Sequence, residues 1–302
     1  AFLHARGDYA ATVTGPLARD RGVPMLWDCR GDSRAELYER IGAASLGQRL
    51  LLELRAWMSL QDLKAAGGAC AAACFVSEAL RELMSGYCSG KPNWVLPCLA
   101  NENDFFFDEN LRQRMRAELG VGNDDPVYVY SGSLAGYQCF EDMVSIFATT
   151  LRKRPNAHLI VLTPYVDAAR EKIAGLPADR VVCLAVPNAK VNDYLNAADF
   201  GFLLRDDTPV NRVAFPTKFA EYALAGLHVI MKHSPPSCVA EARMLGNDLA
   251  LEEAGQAALP PQARRAEIAA AARARTGRRA SIERFAEIYR SLAALNASGQ
   301  PA

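Results

Sequence analysis

Hydrophobic positions in the first third of the chain form short apolar runs that alternate with segments of helical periodicity. The runs predict strands at Ala1–His4, Pro24–Asp28, Cys74–Ser77 and Asn93–Pro97. Apolar residues at helical spacing predict helices at Tyr9–Arg19, Ser33–Ala44, Gln48–Ala65 and Glu78–Ser85. Such alternation is typical of a parallel sheet covered by helices.

A second alternation follows the polar, turn-rich segment CLANENDFFFDEN. It predicts strands at residues 127–134, His158–Thr163, Arg180–Val186, Phe200–Leu204 and Leu227–Lys232. The predicted helices are Asp108–Leu119, Phe140–Lys153, Val166–Ala174, Ala189–Ala197 and Pro216–Ala225, and the Ala/Arg-rich tail adds one or two more. We therefore predict an α/β protein with two Rossmann-like domains facing across a cleft. The first covers residues 1–100, the second covers residues 101–279, and a helix at about residues 280–302 packs back on the first.

Composition narrows the classes of function. The 302 residues include 34 Lys and Arg against 34 Asp and Glu, so the balanced charge argues against nucleic acid as a partner. The eight cysteines show no CxxC spacing and several lie in apolar runs, which predicts a reduced, cytoplasmic setting. No apolar run reaches the length of a transmembrane helix.

Candidate chemistry collects in the loops after the strands of the second half, where ligands of open α/β sheets bind. After VYVY, the residues Ser131, Gly132 and Ser133 offer amides and hydroxyls suited to phosphate. An ordinary turn between strand and helix fits them equally well. The loop matches neither GxGxxG nor GxxxxGK[ST], so a dinucleotide site and a P-loop ATPase lose support.

The loop LLRDDTPVNRVAFPTKFAEY carries more information. Its polar residues are expected to neutralise a diphosphate near a helix N-terminus; they are Arg205, Asn211, Thr217 and Lys218. Glu221, one turn inside that helix, is placed to accept hydrogen bonds from the two hydroxyls of a ribose. The alternative is that Lys218 and Glu221 form a solvent-exposed helix pair.

The segment PTKFAEYALAGLHVI resembles the donor-site helix of retaining glycosyltransferases of the two-domain GT-B fold, family 4. NAADFGFLLR and VYVYSGSLAGYQCFEDMVSIF resemble the segments that build the same donor domain. The resemblance implies a nucleoside-diphosphate sugar of UDP or GDP type as donor, with no metal and no further cofactor. It also implies roles for individual residues: Glu221 on the ribose, Lys218 and Arg205 on the diphosphate, Gly132 and Ser133 nearby, and Val186 and Pro187 against the base.

The chain departs from the family pattern in three ways. Val213 stands where many relatives have a first glutamate near the transferred sugar. Tyr137 and Gln138 stand where many relatives carry Arg and Lys after the glycine loop, and we expect Arg205 and Lys218 to compensate. The first domain is expected to be incomplete, because its first strands and glycine loop are missing.

Two polar groups in the first half are candidates for the acceptor side. His4 and Asp28 are predicted at the carboxyl ends of neighbouring strands, where Asp28 would accept a proton from an acceptor hydroxyl or orient it. The alternatives are an Asp–Arg pair that caps the helix at residues 33–44 and a structural histidine at the end of a strand. The resemblance implies a glycan or lipid-linked acceptor. Seven arginines of the tail predict a solvated helix face, with contact to anionic lipid at the inner membrane face as the alternative; they are Arg264, Arg265, Arg273, Arg275, Arg278, Arg279 and Arg284.

The function predicted from these observations is transfer of a sugar from a nucleoside diphosphate to a hydroxyl with retention at the anomeric carbon. Two other functions stay open. One is a nucleotide-sugar epimerase, which would need carboxylates and a histidine crowding the sugar. The other is a non-catalytic sugar-nucleotide binder, which Val213 and the neutral Tyr137 and Gln138 favour.

Overall fold

A computed structural model of the chain describes residues 1–41 and 45–297. It divides into two compact units. The first unit comprises Ala1–Pro97, Thr208–Phe215 and Ser281–Ala302. The second unit comprises Cys98–Asp207 and Pro216–Ala280.

Each unit is built on a parallel sheet. The four strands of the first sheet are β1 (Leu3–Arg6), β2 (Met25–Cys29), β3 (Ala72–Phe75) and β4 (Asn93–Val95), in that spatial order. The second sheet has six strands, β5 (Val127–Ser131), β6 (His158–Leu162), β7 (Val181–Leu184), β8 (Phe200–Leu203), β9 (His228–Met231) and β10 (Asp248–Ala250). Their order is β10-β9-β8-β5-β6-β7, and every pair is parallel. The predicted fold class, an α/β protein with two Rossmann-like sheets, is confirmed.

Helices connect successive strands. In chain order they are α1 (Asp8–Asp20), α2 (Ser33–Ile41), α3 (Leu46–Ala69), α4 (Glu78–Met84), α5 (Glu109–Glu118), α6 (Phe140–Lys153), α7 (Val166–Ile173), α8 (Asn188–Ala197), α9 (Pro209–Val213), α10 (Thr217–Leu224), α11 (Pro236–Leu245), α12 (Gln262–Thr276) and α13 (Arg278–Ala297). The last three residues of the predicted helix Ser33–Ala44 and residues 298–302 of the tail lie outside the described residues.

Sequence periodicity missed two elements, α11 and β10. No element was predicted between residues 233 and 260, whereas the structure has a ten-residue helix and a short edge strand there. Pro236 occupies the first position of α11, where its missing N–H costs nothing, and Gly246 ends it with a left-handed φ of 63°. The strand has only three residues, too few for an alternating pattern to show.

The structure also corrects the predicted position of the first strand. The strand predicted at Ala1–His4 lies two residues later, at Leu3–Arg6. In the sheet, Leu3 pairs with Met25 and Arg6 pairs with Asp28 of the neighbouring strand β2. His4 therefore lies within β1 and not at its carboxyl end.

Thr208–Phe215 belongs to the first unit, although the sequence-based boundaries place it in the second. Helix α9, inside this segment, packs against α4 and α2. The hydroxyl of Ser77, at the N-terminus of α4, donates to the backbone carbonyl of Val213 at 2.7 Å. This long-range contact has no signature in the sequence around Val213.

A buried charge cluster stabilises the second unit. Asp199 is fully buried and lies within 4.0 Å of three guanidinium groups, those of Arg112, Arg116 and Arg265. Arg265 is 1% exposed, so the prediction that it lies on a solvated face is wrong. Its guanidinium donates to the carbonyls of Asn196 and Ala225, and burial lowers its pKa to about 9.

The burial of the cysteines and the length of the apolar segments agree with what the sequence predicts. Seven of the eight cysteines are buried, as expected of small apolar residues. In the part of the chain that the structure describes, we find no helix that combines the length and the apolar character needed to cross a bilayer.

Candidate functional site

The second sheet has one point where its strand order reverses. From β5 the chain proceeds outward through β6 and β7, and it then returns to β8 on the other side of β5. Loops at such a point diverge and leave a crevice beyond the carboxyl ends of the strands. Gly132 follows β5 and Arg205 follows β8, so both lie at this crevice.

A cavity of about 300 Å³ opens at the carboxyl ends of β5, β6 and β7. Its lining comes from the three loops after these strands: Ser131, Gly132, Leu162, Thr163, Pro164, Ala185, Val186, Asn188 and Val191. Val186 and Gly132, both singled out from the sequence, share this cavity. Pro187 does not line it and instead precedes α8 as its N-cap residue.

Both the backbone conformation at position 132 and the nearby side chain of Lys218 require glycine there. Its φ of 148° lies in a region that side chains disfavour. A Cβ at this position would come within 3.0 Å of Lys218 Nζ. The glycine therefore leaves room for the lysine ammonium beside the end of β5.

Lys218 lies at the start of α10 and points at the loop after β5. Its Nζ donates to Gln138 Oε1 at 3.0 Å and lies 4.4 Å from the centroid of the Tyr130 ring. Lys218 and Glu221 are both half-buried, so the interpretation of a solvent-exposed helix pair is wrong. Burial, followed by repulsion from Arg205 and opposed by Glu221, lowers the pKa of Lys218 to about 7.

Arg205 is the second cation of the site and is 7% exposed. Its Nη1 donates to the backbone carbonyl of Tyr137 at 3.2 Å, and its guanidinium carbon lies 4.6 Å from the centroid of the Tyr137 ring. Its Nε is buried without a partner, and no carboxylate of the described residues pairs with it. Burial lowers the pKa of Arg205. A buried cation without an acid is costly, so an anion from outside the chain would relieve it.

Glu221 lies one turn further along α10 and is half-buried. Burial raises the pKa of its carboxyl group, and the charge on Lys218 opposes that shift. The carboxylate accepts no hydrogen bond from the described residues. Its neighbour Tyr222 accepts a hydrogen bond from the Ser131 amide at 3.0 Å, which ties α10 to the end of β5.

Gly201 in β8 makes that tie sterically feasible. A Cβ on this glycine would lie 2.5 Å from Tyr222 Cδ2. The Tyr222 ring therefore crosses β8 at a position where only glycine fits. Together these contacts fix the position of α10, and with it Lys218 and Glu221, against the sheet.

The remaining residues predicted for the donor site are placed as follows. Ser133 is half-buried, and its carbonyl accepts from Tyr130 Oη at 2.5 Å. Thr217 is the exposed first residue of α10, whose N-terminal amides lack intrahelical acceptors. Asn211 belongs to α9 in the first unit, so the structure does not group it with Lys218 in one unit. Val213, which stands where the glycosyltransferases that the motifs resemble have their first glutamate, is 5% exposed and also belongs to that unit.

One group of potential metal ligands occurs in the described part of the second unit. The side-chain donors of Cys139, Asp142 and Asp206 lie within 4.8 Å of one another. Lys232 Nζ donates to both carboxylates at 2.5 Å, which raises its pKa well above the usual value. The lysine ammonium thus already supplies the positive charge that these carboxylates attract.

In the first unit, His4 and Asp28 do come together. His4 Nε2 lies 3.5 Å from Asp28 Oδ2, and Arg30 Nη1 lies 3.4 Å from Asp28 Oδ1. On its other side, His4 Nδ1 shares a hydrogen bond of 2.8 Å with Tyr289 Oη of α13. The Asp28 side chain is only 3% exposed, so both its oxygens are held by protein groups.

A larger cavity of about 700 Å³ lies at the carboxyl ends of β1 and β2. Its polar floor is Asp8, whose carboxylate accepts from Ser33 Oγ at 2.8 Å and from Trp27 Nε1 at 3.1 Å. Burial raises the pKa of Asp8. Arg30 lines this cavity, whereas His4 and Asp28 do not. Asp28 thus reaches the cavity only through its contact with Arg30.

Sequence reasoning missed the aromatic and amide residues that hold the two cations. Tyr130 and Tyr222 lie in predicted elements, but periodicity marks them only as core residues. The sequence marks Tyr137 and Gln138 only as neutral residues where the resembling family carries cations, and it indicates no contact partner for them. Their one signal is position. Tyr130, Tyr137 and Gln138 lie at or next to the loop after β5, and Tyr222 lies in α10, the helix that carries Lys218.

Comparison with solved structures identifies similar architectures. The sucrose-phosphate synthase of Thermosynechococcus elongatus superposes with a TM-score of 0.65 at 18% identity, over 97% of this chain and 74% of the other. Anabaena HepE in complex with UDP gives 0.68 at 14% identity, over 96% and 79%. WaaG, a glycosyltransferase involved in lipopolysaccharide biosynthesis, gives 0.61 at 16% identity, over 88% and 76%. No protein-family model matches the sequence, and comparison with curated protein sequences finds no match.

The chain therefore has the two-domain, Rossmann-like GT-B fold. Each similar structure covers most of the chain, and both parallel sheets belong to that architecture. At such low identities, similarity of structure establishes the fold alone, and the reaction has to be inferred from the residues of the site.

Proposed function

We propose that the protein is a glycosyltransferase that uses a nucleoside-diphosphate sugar. The observation that carries this proposal is the pair of cations Arg205 and Lys218, which contact the same turn and form no ion pair with a carboxylate of the described residues. Lys218 Nζ also lies beside Gly132, which lines the cavity. A diphosphate brings the negative charge that this pair lacks. The UDP bound to HepE, a protein of the same fold, supports a nucleotide ligand.

In the proposed complex the base occupies the cavity lined by Val186, and the ribose hydroxyls bind Glu221. The diphosphate then lies between Arg205, Lys218 and the N-terminus of α10. Catalysis would follow from stabilising the departing diphosphate with these fixed cations, in the place where other transferases use a metal. We propose UDP or GDP as the nucleotide, retention at the anomeric carbon, and the family-4 type of transferase that the motifs resemble.

Thermal shift and calorimetry with UDP, GDP and the corresponding nucleosides test the proposal. We expect one diphosphate to raise the melting temperature in proportion to the logarithm of its concentration, and its nucleoside to have a much smaller effect. Arg205→Met should lose most of this effect, because the methionine fills the site without the charge. Arg170→Met on α7 is the matched control, since Arg170 is a solvent-exposed arginine of the same unit. A wild-type protein that responds to no nucleoside diphosphate would refute the proposed function.

A glycan or lipid-linked hydroxyl is the acceptor that we propose, with Asp28 and His4 on the acceptor side. Asp28 is held on both oxygens, so we assign it the orienting role and not that of a free base. Asp28→Asn should then lower the rate of transfer while leaving diphosphate binding unchanged. Donor hydrolysis and transfer, followed by release of the nucleoside diphosphate, measure the two activities.

A non-catalytic nucleotide-sugar binder is the second candidate, and one observation favours it. The position of the family's first glutamate is the buried, apolar Val213. A binder would show the same diphosphate affinity but no turnover with any donor and acceptor pair. Turnover with any donor therefore separates the two functions.

Peripheral contact with anionic membrane lipid is part of the same proposal for a lipid-linked acceptor. In the second unit, Arg273, Arg278 and Arg279 are exposed. Arg264 and Arg275 are half-buried and paired with Glu267 and Glu241. Co-sedimentation with vesicles containing anionic lipid, compared with neutral vesicles, measures this contact.

A further inference from the structure

The turn Gly136–Gln138 contacts both cations of the site. The backbone carbonyl and the ring of Tyr137 contact the guanidinium of Arg205, at 3.2 Å and 4.6 Å. The side-chain carbonyl of Gln138 accepts from Lys218 Nζ at 3.0 Å. Two consecutive residues thus each hold one cation, although Arg205 and Lys218 come from different elements of the unit.

Both contacts are electrically neutral, which distinguishes them from ion pairs. A carboxylate in the place of Gln138 would neutralise the lysine and compete with a phosphate for it. An amide oxygen uses only one of the three ammonium hydrogens and leaves the charge uncompensated. The ring of Tyr137 likewise attracts the guanidinium through its π face without adding a formal charge.

The backbone of the turn is fixed on both sides. The backbone N–H of Gln138 donates to the backbone carbonyl of Ala135 at 2.8 Å, and the backbone N–H of Cys139 donates to the backbone carbonyl of Gly136 at 3.1 Å. Cys139 then adopts a left-handed conformation, with φ 50°, before α6 begins. A residue with a side chain occupies this region only when its surroundings hold it there. Tyr137 and Gln138 are therefore presented by a defined turn and not by a loose loop.

We propose that Tyr137 and Gln138 are positioning residues, which aim Arg205 and Lys218 at the two phosphates of a nucleoside diphosphate while leaving both positive charges available. This inference rests on the proposed function. It explains why neutral residues stand at positions where the resembling family carries cations. In this chain, the cations come from the end of β8 and the start of α10, and the turn only orients them.

The test compares diphosphate and nucleoside affinities of variants in the turn, with UDP and uridine, or GDP and guanosine, as probes. Gln138→Leu removes the acceptor from Lys218, and Gln138→Met repeats the test with a more flexible side chain in case the leucine impairs folding. Tyr137→Leu removes the ring but keeps the backbone carbonyl, and Tyr137→Phe keeps both. We expect about five- to tenfold weaker diphosphate binding for Gln138→Leu, Gln138→Met and Tyr137→Leu, with nucleoside affinity unchanged. Tyr137→Phe should bind like the wild type.

A pH profile separates positioning from a structural role. Three groups surround the Lys218 ammonium from the packed elements: Arg205, Glu221 and the Tyr130 ring. Gln138→Glu adds an acid to them, so it should move the loss of diphosphate affinity to a higher pH than in the wild type. Unchanged diphosphate affinity in Gln138→Leu and Tyr137→Leu, in a protein where Arg205→Met abolishes binding, would overturn the inference and leave the proposed function standing. Absence of diphosphate binding by the wild type would overturn the proposed function itself.

Discussion

Binding of a nucleoside-diphosphate sugar should weaken as the pH rises through 7, because Lys218 must carry a proton to attract the phosphates. In the free protein its pKa is lowered to about 7 by burial and by Arg205. A bound diphosphate would restore the proton, so affinity follows the protonated fraction of the free protein. Between about pH 6 and about pH 8.5 that fraction falls about 30-fold, which corresponds to about 2 kcal/mol of binding free energy.

The assay is isothermal calorimetry with UDP-glucose and GDP-mannose as probes across this pH range. These diesters carry no phosphate group that titrates there, so the pH dependence reports on the protein. Lys218→Gln should bind weakly with no slope, and Lys218→Arg should keep its charge and also show no slope. The reasoning fails if the wild type binds equally at both ends of the range, or if Lys218→Gln retains the wild-type slope.

Four further outcomes are expected. Lys218→Met should stabilise the ligand-free protein near pH 7. Between about pH 7 and about pH 10.5 the unfolded wild type keeps the Lys218 proton that the folded wild type loses, so the advantage of the variant in melting curves should shrink as the pH rises through that window. Glu221→Gln should weaken UDP binding about tenfold but leave 2′,3′-dideoxy-UDP unaffected in calorimetry; equal losses for both ligands would contradict the ribose contact. Gly132→Ala should weaken diphosphate binding about tenfold, because the added Cβ meets Lys218 Nζ. Gly175→Ala, whose added Cβ meets nothing within 4 Å, is the control. Asp199→Asn should lose about 3–5 kcal/mol in urea denaturation, because buried guanidinium groups keep no acid; a loss below about 1 kcal/mol would show that their carbonyl partners suffice.

Local sequence predicted the elements of the site more reliably than their partners. The helix TKFAEYAL is recognisable because Pro216 precedes it and Gly226, with a positive φ of 72°, follows it. Its charged residues were therefore assigned to the carboxyl edge of the sheet. Nothing local reveals that Lys218 contacts Gln138, because 80 residues separate the two in sequence. The same holds for the amide of Ser131 and Tyr222, which are 91 residues apart.

The placement of Asn211 shows a second limit of sequence reasoning. It lies between Arg205 and Lys218 in the chain, so proximity in sequence suggested a shared site. The structure assigns α9 to the first unit, where Ser77 donates to the carbonyl of Val213, so the sequence did not predict the unit to which Asn211 belongs. The role of Asn211 at the donor site stays a prediction. Chain order within a long loop does not determine which body the loop packs on, because that depends on contacts with distant elements.

The two kinds of buried cation in this unit differ in a way that bears on function. The carboxylate of Asp199 pairs with the guanidinium groups of Arg112, Arg116 and Arg265. These groups also donate hydrogen bonds to backbone carbonyls. This protein therefore provides an acid where buried arginines serve only structure. Arg205 and Lys218 receive neutral partners instead, and each raises the electrostatic cost of the other. Buried arginines that have an acid partner at Asp199, and two cations that have none among the described residues, are what we expect of a unit that binds an anion at Arg205 and Lys218. A diphosphate is the anion that we propose.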